Sequence, residues 1–269
     1  MILNDNTMKV LKNFATIQPN ILLPNGNNLT TISSTNNIVG STVLTESFAG
    51  GNFPSAGAGI YNLDELLGVI SFMTYTTTTN RALPVLTFED NFVTIATGSY
   101  PGSPAVPITP SRSVKYYYAD PSILKTYAGN IVFPTTNVAF NLEEAVLQSI
   151  RSAASALGHV KMTITPSGNT DVKISVSDSS DATSNSFELV VPRSDGGSST
   201  TFNLVMNIGN LKLVTPPVAG DGVMGYYKVE VASLAAGIIS KFTIANSDGT
   251  TFNSTFYYVA LEATSTYGP

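Results

Sequence analysis

The stretch Thr7–Thr16, TMKVLKNFAT, decides how the rest of the chain is read. At about 100° per residue, Met8, Val10, Leu11, Phe14 and Ala15 gather on one side, and Lys9, Lys12, Asn13 and Thr16 on the other. The spacing predicts a helix that buries one face in a core and offers the other to something polar. The pattern returns at Leu142–Leu157, where Leu142, Val146, Leu147, Ile150, Ala153 and Leu157 make the apolar stripe and Gln148, Arg151 and Ser155 lie opposite. Val10, Leu11 and Phe14 fall on Val146, Leu147 and Ile150 at one constant offset. That points to a duplicated unit.

Composition sets the frame. A chain of 269 residues, at roughly 150 residues per domain, has room for about two domains. No run reaches the 18 or so apolar residues of a membrane span, so no membrane segment is expected. Asp5 and Lys9 fall in the first ten residues with no apolar h-region, which argues against a secretory signal. The absence of cysteine removes thiol nucleophiles, disulfides and Cys-based zinc sites. Thirteen basic against 18 acidic residues leave a net charge of -5, which argues against indiscriminate nucleic-acid binding but not against a basic patch on one surface.

Strands rich in Val, Ile, Thr and aromatics are predicted at Ile21–Leu23, Leu29–Ile32, Ile38–Leu44, Pro84–Phe88, Phe92–Ala96 and Val114–Tyr118. A second helix, Leu63–Met73, interrupts them, with Asn62 as N-cap and Asp64 and Glu65 at the positive end of its dipole. Leu63, Leu66, Leu67 and Ile70 form its buried stripe. The second half repeats the order. Asn141 and Glu144 resemble a capping box and Gly158 suits the helix stop. Strands follow at Val160–Thr165, Val172–Val176, Phe187–Val191 and Phe202–Met206. A short helix in MNIGNLKL, capped by Asn207, then matches YNLDELLG, and Tyr116 and Tyr117 match Tyr257 and Tyr258. GNIVFPTTN, Gly129–Asn137, reads as the joint, giving domains over 1–130 and 131–269. Ser177–Ser186, Arg193–Thr200 and Thr215–Gly225 read as surface loops.

No catalytic constellation survives this reading. His159 is the only histidine, beside Gly158 at a helix end, where a capping or partly buried role is the ordinary one. No G-x-S-x-G elbow supports a triad through it. Glu143 and Glu144 point about 100° apart on a helix and cannot act as a pair. Asp178 and Asp181 lack an EF-hand frame, so no metal site is expected. GGNFPSAGAG, Gly50–Gly59, lacks the Gly-Lys-Ser/Thr ending of a phosphate loop and reads as a flexible connector. The run Tyr116–Tyr118 is either a stacking platform for bases or a half-buried strand used twice. What remains is basic: Lys9, Lys12 and Arg151 on the outward faces of equivalent helices, and Lys212 on the short fourth one. Ordinary solvated surface explains an isolated instance; recurrence in a charge-poor chain shifts the reading toward a shared polyanion-facing surface.

At these residues the chain resembles the DNA polymerase sliding clamps of T-even-type bacteriophages. The words that carry the likeness are LKNFATI (Leu11–Ile17), IYNLDELLGVIS (Ile60–Ser71), ADPS (Ala119–Ser122), FNLVMNIGNLKL (Phe202–Leu213) and YYVALEATST (Tyr257–Thr266), in the family's order. The resemblance implies an α+β fold of two similar domains, each an antiparallel sheet with two inner helices. Three such chains would close head to tail into a ring around duplex DNA. It implies no enzymatic activity and no cofactor. The implied partners are duplex DNA, the phage polymerase, an ATP-driven clamp loader and late transcription factors, in the cytoplasm of the infected bacterial host. Lys9, Lys12, Arg151 and Lys212 become the expected DNA-facing residues. Ile131, Val132 and Phe133, with Val259, Ala260 and Leu261, become either lining of an apolar partner pocket or simply core. The competing class, for a β-rich and cysteine-free chain, is a virion structural or decoration protein; it predicts neither the duplicated helices nor their polar lining.

Overall fold

The computed structural model describes the chain except residues 50–51, 77–80, 101–105, 108–110, 128, 130–131, 179–182, 198, 217–224, 236, 247–250 and 269. It forms two compact units. Unit 1 comprises Met1–Ser34 and Ser41–Tyr127, and unit 2 comprises Thr35–Gly40 and Ala128–Pro269.

Unit 1 runs α1 (Asp5–Ile17), β1 (Ile21–Leu23), β2 (Asn28–Ile32), β3 (Ile38–Val43, divided between the units), β4 (Ala58–Ile60), α2 (Leu63–Met73), β5 (Tyr75–Thr76), β6 (Arg81–Ala82), β7 (Val85–Phe88), β8 (Phe92–Ala96), β9 (Ser99–Tyr100), β10 (Val106–Pro107) and β11 (Ser113–Tyr117). The apolar stripe of α1 is sealed: Val10, Leu11 and Phe14 are buried against α2 and β2, while Lys9 and Lys12 stay exposed. Burying each such side chain stabilises by about 1.5–3 kcal/mol, which fixes the rotation of the helix about its axis. The predicted stripe of α2 is buried too, against β8 and β11. In the sheet β11-β8-β7, Val114 pairs with Ile95 and Ile95 with Leu86. The terminal ammonium of Met1 donates to the Leu86 carbonyl at 2.8 Å, covering the β7 side. On the β11 side no described strand pairs.

Gly50–Gly59 is less a connector than expected. Its last residues form β4, which pairs with β1 through Leu22 and Gly59. The Gly59 carbonyl accepts from the Ala119 amide at 2.8 Å, so close that a Cβ on Gly59 would stand 2.3 Å from the Ala119 carbonyl oxygen. Tyr116, on the inward side of β11, donates its hydroxyl to the Asn62 carbonyl at 3.0 Å, so this tyrosine is architectural, whereas Tyr117 faces outward beside Phe92.

Unit 2 runs β12 (Val138–Glu143), α3 (Glu144–Leu157), β13 (Lys161–Ser167), β14 (Asp171–Val176), β15 (Phe187–Pro192), β16 (Phe202–Asn207), β17 (Gly225–Leu234), β18 (Gly237–Asn246), β19 (Thr251–Ala260) and β20 (Thr266–Tyr267). One sheet takes the order β12-β17-β18-β19, and a buried row, Phe140, Val229, Phe242 and Tyr257, crosses all four strands. The other, β15-β14-β13-β16-β20, carries the row Leu189, Ile174, Ile164 and Leu204. Alternate positions along each strand face one side, so each row is continuous apolar surface.

Three expectations change here. The helix begins at Glu144, not Leu142, because Asn141, Leu142 and Glu143 pair with Lys228, Tyr227 and Tyr226 in β17; the capping box does not form, and Glu143 makes no side-chain cap bond. The ladder and burial of Leu142 outweigh a surface cap. The short fourth helix is a single 3-10 turn, Ile208–Asn210, capped by Asn207 Oδ1 accepting from the Gly209 amide at 2.8 Å. Arg193 does not begin a solvated loop: its side chain is 2% exposed and paired with Asp195 at 2.7 Å. Ser179–Asp181 and much of Thr215–Gly225 lie outside the described residues. The hairpin of β17 and β18 was not anticipated, although Tyr227, Val229 and Val231 alternate with Lys228 and Glu230. Gly158 ends α3 in the left-handed region, φ +72°, as expected.

The start of α1 is held from outside the helix. Asn4 Oδ1 accepts from the Thr7 amide at 2.8 Å, and Glu46 accepts from the Asn4 amide and the Thr7 hydroxyl, both at 2.6 Å. Partial burial pushes the Glu46 carboxyl up, but the bonds from Thr7, Thr45 and Asn4 outweigh it and hold it below the ordinary carboxylate range. A depressed folded-state value adds stability above the unfolded value and loses it as pH falls through the folded one. Glu46→Ala is expected to lower unit 1 stability by about 1–2 kcal/mol at neutral pH. The difference from wild type should shrink below about pH 4 in denaturant titrations.

Candidate nucleic-acid interface

In unit 1, one face of α1 presents Asp5, Met8, Lys9 and Lys12, since positions three, four and seven apart fall together on a helix. With Ser71 on α2, Thr74 and Thr76 just beyond it and Arg81 on β6, they line an open groove of about 460 Å³. Arg81 Nη1 bonds Asp5 Oδ1 at 2.7 Å, with both side chains largely exposed. Lys9 and Lys12 are exposed, and neither is engaged by a hydrogen bond, ion pair or ring contact among the described residues. Arg112 is a further cation on this unit, its guanidinium carbon 5.5 Å from the ring centre of Phe72, an α2 side chain that is 66% exposed. Sequence reasoning missed Arg81 and Arg112. Each meets its helix through chain folded back from far along the sequence, and helical spacing carries no trace of that.

In unit 2, Arg151 and Lys212 are brought to one place, but not as equals. Arg151 Nη2 donates to the Leu211 carbonyl, next to Lys212. The following segment is pinned as well: the Val214 amide donates to Tyr257 Oη at 3.2 Å, and the Tyr227 hydroxyl lies against the Val214 carbonyl at 3.3 Å and bonds Glu144. Burial drives both tyrosine hydroxyls well above the ordinary phenol range, and the Glu144 carboxylate adds to the effect at Tyr227. Arg151 therefore holds the strap on which exposed Lys212 is carried.

The expected partner-pocket residues divide. Ile131 lies outside the described residues, and Val132 is 78% exposed. Phe133 stacks on Tyr258 at 5.9 Å between ring centres, and Lys241 Nζ sits 5.8 Å from Phe133 and 5.3 Å from Phe256. Val259 is core, its carbonyl accepting from Ser240 Oγ at 2.9 Å, while Ala260 is exposed and Leu261 half-buried. The missed members are Phe256 and Tyr258, which period-2 alternation along β19 would have placed opposite Tyr257, and Lys241, which pairs with Tyr258 from β18. His159 Nε2 meets the Asn185 carbonyl at 3.0 Å and Ser184 Oγ at 3.1 Å, a loop-holding role. Among the described residues no three His, Asp or Glu side chains gather as metal ligands, and no helix is long and apolar enough to cross a membrane.

Comparison with known proteins meets this geometry. No family profile matches the sequence. A sliding clamp of Vibrio phage KVP40 is 24% identical over 199 residues, spanning 72% of this chain and 79% of that protein. Among solved structures, a PCNA2–PCNA3 complex from Sulfolobus tokodaii superimposes with a TM-score of 0.61 at 13% identity, covering 98% of both chains. The proliferating cellular nuclear antigen of Entamoeba histolytica gives 0.58 at 13% identity, covering 95% of this chain and 94% of that one. The chain has the sliding-clamp fold. Its sequence likeness is to a phage clamp, and its α+β architecture of antiparallel sheets with few helices is the one these clamps share.

Within this clamp fold, Arg151→Ala removes the cation that holds the Leu211 carbonyl and should lower stability by about 1–2 kcal/mol. It should also speed amide exchange at Val214, read by hydrogen exchange beside a denaturant titration.

Proposed function

We propose that the chain is a DNA polymerase sliding clamp, a non-enzymatic processivity factor that encircles duplex DNA and slides without sequence preference. In this reading it acts in the infected bacterial host and tethers the replicative polymerase to its template. An ATP-driven loader places it, and it also serves late transcription. Residues 1–130 and 131–269 are its two clamp domains, and three copies close head to tail.

The observation that carries this is Lys9 and Lys12, exposed, unengaged among the described residues, and held outward by a helix whose other side is sealed. Exposed lysines contact phosphate as point charges without reading bases, which suits movement along any sequence. Lys212 adds a third such contact on unit 2, and Arg151 stands behind it.

Ring closure needs two strand edges, and the sheets offer β11 and β15. Each ends its sheet, with β8 and β14 as the respective partners. Ser113, Lys115 and Tyr117 face one side of β11; Glu188, Val190 and Pro192 face the corresponding side of β15, with Val190 56% exposed. Antiparallel addition of β11 from one copy to β15 of the next would place Val114 and Tyr116 over the inward residues Leu189 and Val191, and would bring Lys115 within reach of Glu188. Pairing these edges also removes them as aggregation templates.

Native mass measurement with and without circular duplex tests the assembly. A trimer retained on circles and released on linearisation is expected; equal retention on both overturns encirclement. Lys9→Ala with Lys12→Ala should leave the trimer intact and reduce retention and processivity, and unchanged processivity at moderate salt counts against these residues.

For the partner site, the aromatic cluster of Phe133, Tyr258 and Phe256 is proposed to take a short hydrophobic tail of the polymerase. Phe133→Ala is expected to weaken binding of a polymerase C-terminal peptide about tenfold or more, as loss of a buried aromatic anchor does. An unchanged affinity by anisotropy removes Phe133 from the pocket.

A further inference from the structure

The groove on unit 1 contains a feature the proposed function does not use. Asp5 places a carboxylate 2.7 Å from Arg81 Nη1 in the middle of an otherwise cationic surface. A first-turn acid is ordinarily explained by the helix dipole. Here that duty is already discharged: Asn4 caps the Thr7 amide, and Glu46 takes the Asn4 amide and the Thr7 hydroxyl. Asp5 makes no described bond to its own helix terminus and turns instead to a residue 76 positions away. Asp5, Lys9 and Lys12 share one helix face, so a phosphate that reaches the lysines also reaches the guanidinium that Asp5 holds.

We propose that Asp5 is an intramolecular competitor for phosphate at Arg81, which keeps the grip of the α1 groove on a polyanion weak. This rests on the reading of Lys9 and Lys12 as DNA-facing. A guanidinium binds a carboxylate and a phosphodiester through the same fork of donors, so the two exclude one another at Arg81. While Asp5 holds it, the groove offers two flexible lysines. Release of Arg81 would add one directional phosphate contact per copy, and with it a deeper well at each step along the duplex. The ion pair is exposed, so exchange between the two partners has a low barrier and the competition is a true equilibrium.

The test uses the full chain and a short blunt linear duplex, followed by anisotropy across a salt series. Asp5→Asn is expected to tighten binding about two- to fivefold at low salt, the range of an exposed ion pair. It should also steepen the salt dependence by about 0.9 in log–log slope, the signature of one further phosphate. Adding Arg81→Ala to Asp5→Asn should abolish both gains. No tightening, or an equal gain with Arg81→Ala present, overturns the proposal, the latter because it marks a general charge effect. Asp5→Ser, also tolerated in a first turn, repeats the measurement should Asp5→Asn fold poorly by circular dichroism. Lys9→Ala with Lys12→Ala, measured in parallel, separates the two readings. Weakening by that pair alongside a silent Asp5→Asn removes only the competitor, whereas a neutral lysine pair removes the α1 reading on which the competitor depends.

Discussion

One-sided burial of the helices is the constraint from which the proposed DNA-facing surface follows. A helix with Val10, Leu11 and Phe14 sealed has no freedom to turn; rotating it by one residue would expose groups that together stabilise by several kcal/mol. Exposed lysines contribute almost nothing on that scale. The positions of Lys9 and Lys12 are thus determined by the apolar side of α1, and their own charges take no part in that packing. The same division of labour explains why α2, with its stripe equally buried, carries Asp64 and Glu65 outward without harm to the fold.

Unit 2 reaches a similar end by different means. The outward residue of α3, Arg151, is drawn to the Leu211 carbonyl, beside a second polar set in which the Tyr227 hydroxyl meets Glu144 and Val214. A buried polar group left unpaired is destabilising, and each member of this set is satisfied by another. The network replaces what a second full helix would have supplied, since the fold provides only the 3-10 turn at Ile208–Asn210. Arg151 belongs to the packing and Lys212 to the surface. An alignment of the duplicated units by their apolar stripes treats both as outward cations.

Periodicity carried the parts of the fold that depend on neighbours in sequence. The stripes of α1 and α2, the glycine stop at Gly158 and the strands Ile21–Leu23 and Phe92–Ala96 were legible because 3.6- and 2-residue patterns report burial directly. What escaped was set by distant chain. The strand pairing of Asn141–Glu143 overrode a capping box that was locally sound, because the partner strand lies more than 80 residues on. The β17–β18 hairpin alternates visibly and begins where the predicted Thr215–Gly225 loop ends, yet no strand was assigned there. Arg81, Arg112 and Lys241 belong to their clusters through nonlocal contacts, so residue type and spacing could not gather them. Lys9 and Lys12 were readable because a single helix face holds both.

The chain's arginines differ from Lys9 and Lys12 in a way that bears on the proposed sliding. All four arginines are engaged within the described structure: Arg81 with Asp5, Arg112 over Phe72, Arg151 with the Leu211 carbonyl and Arg193 with Asp195. Guanidinium is the side chain best shaped to hold a phosphate bidentately, and such a contact has a preferred register along the duplex. Lysine has a flexible stem and no preferred plane, so the energy it gains changes little as one phosphate gives way to the next. Occupying the arginines while leaving Lys9 and Lys12 exposed smooths the surface that a duplex would meet. A protein held by topology needs attraction enough to stay centred and too little to stop. In the proposed role, the sparse charge of this chain, with its arginines engaged within the fold, would meet both conditions.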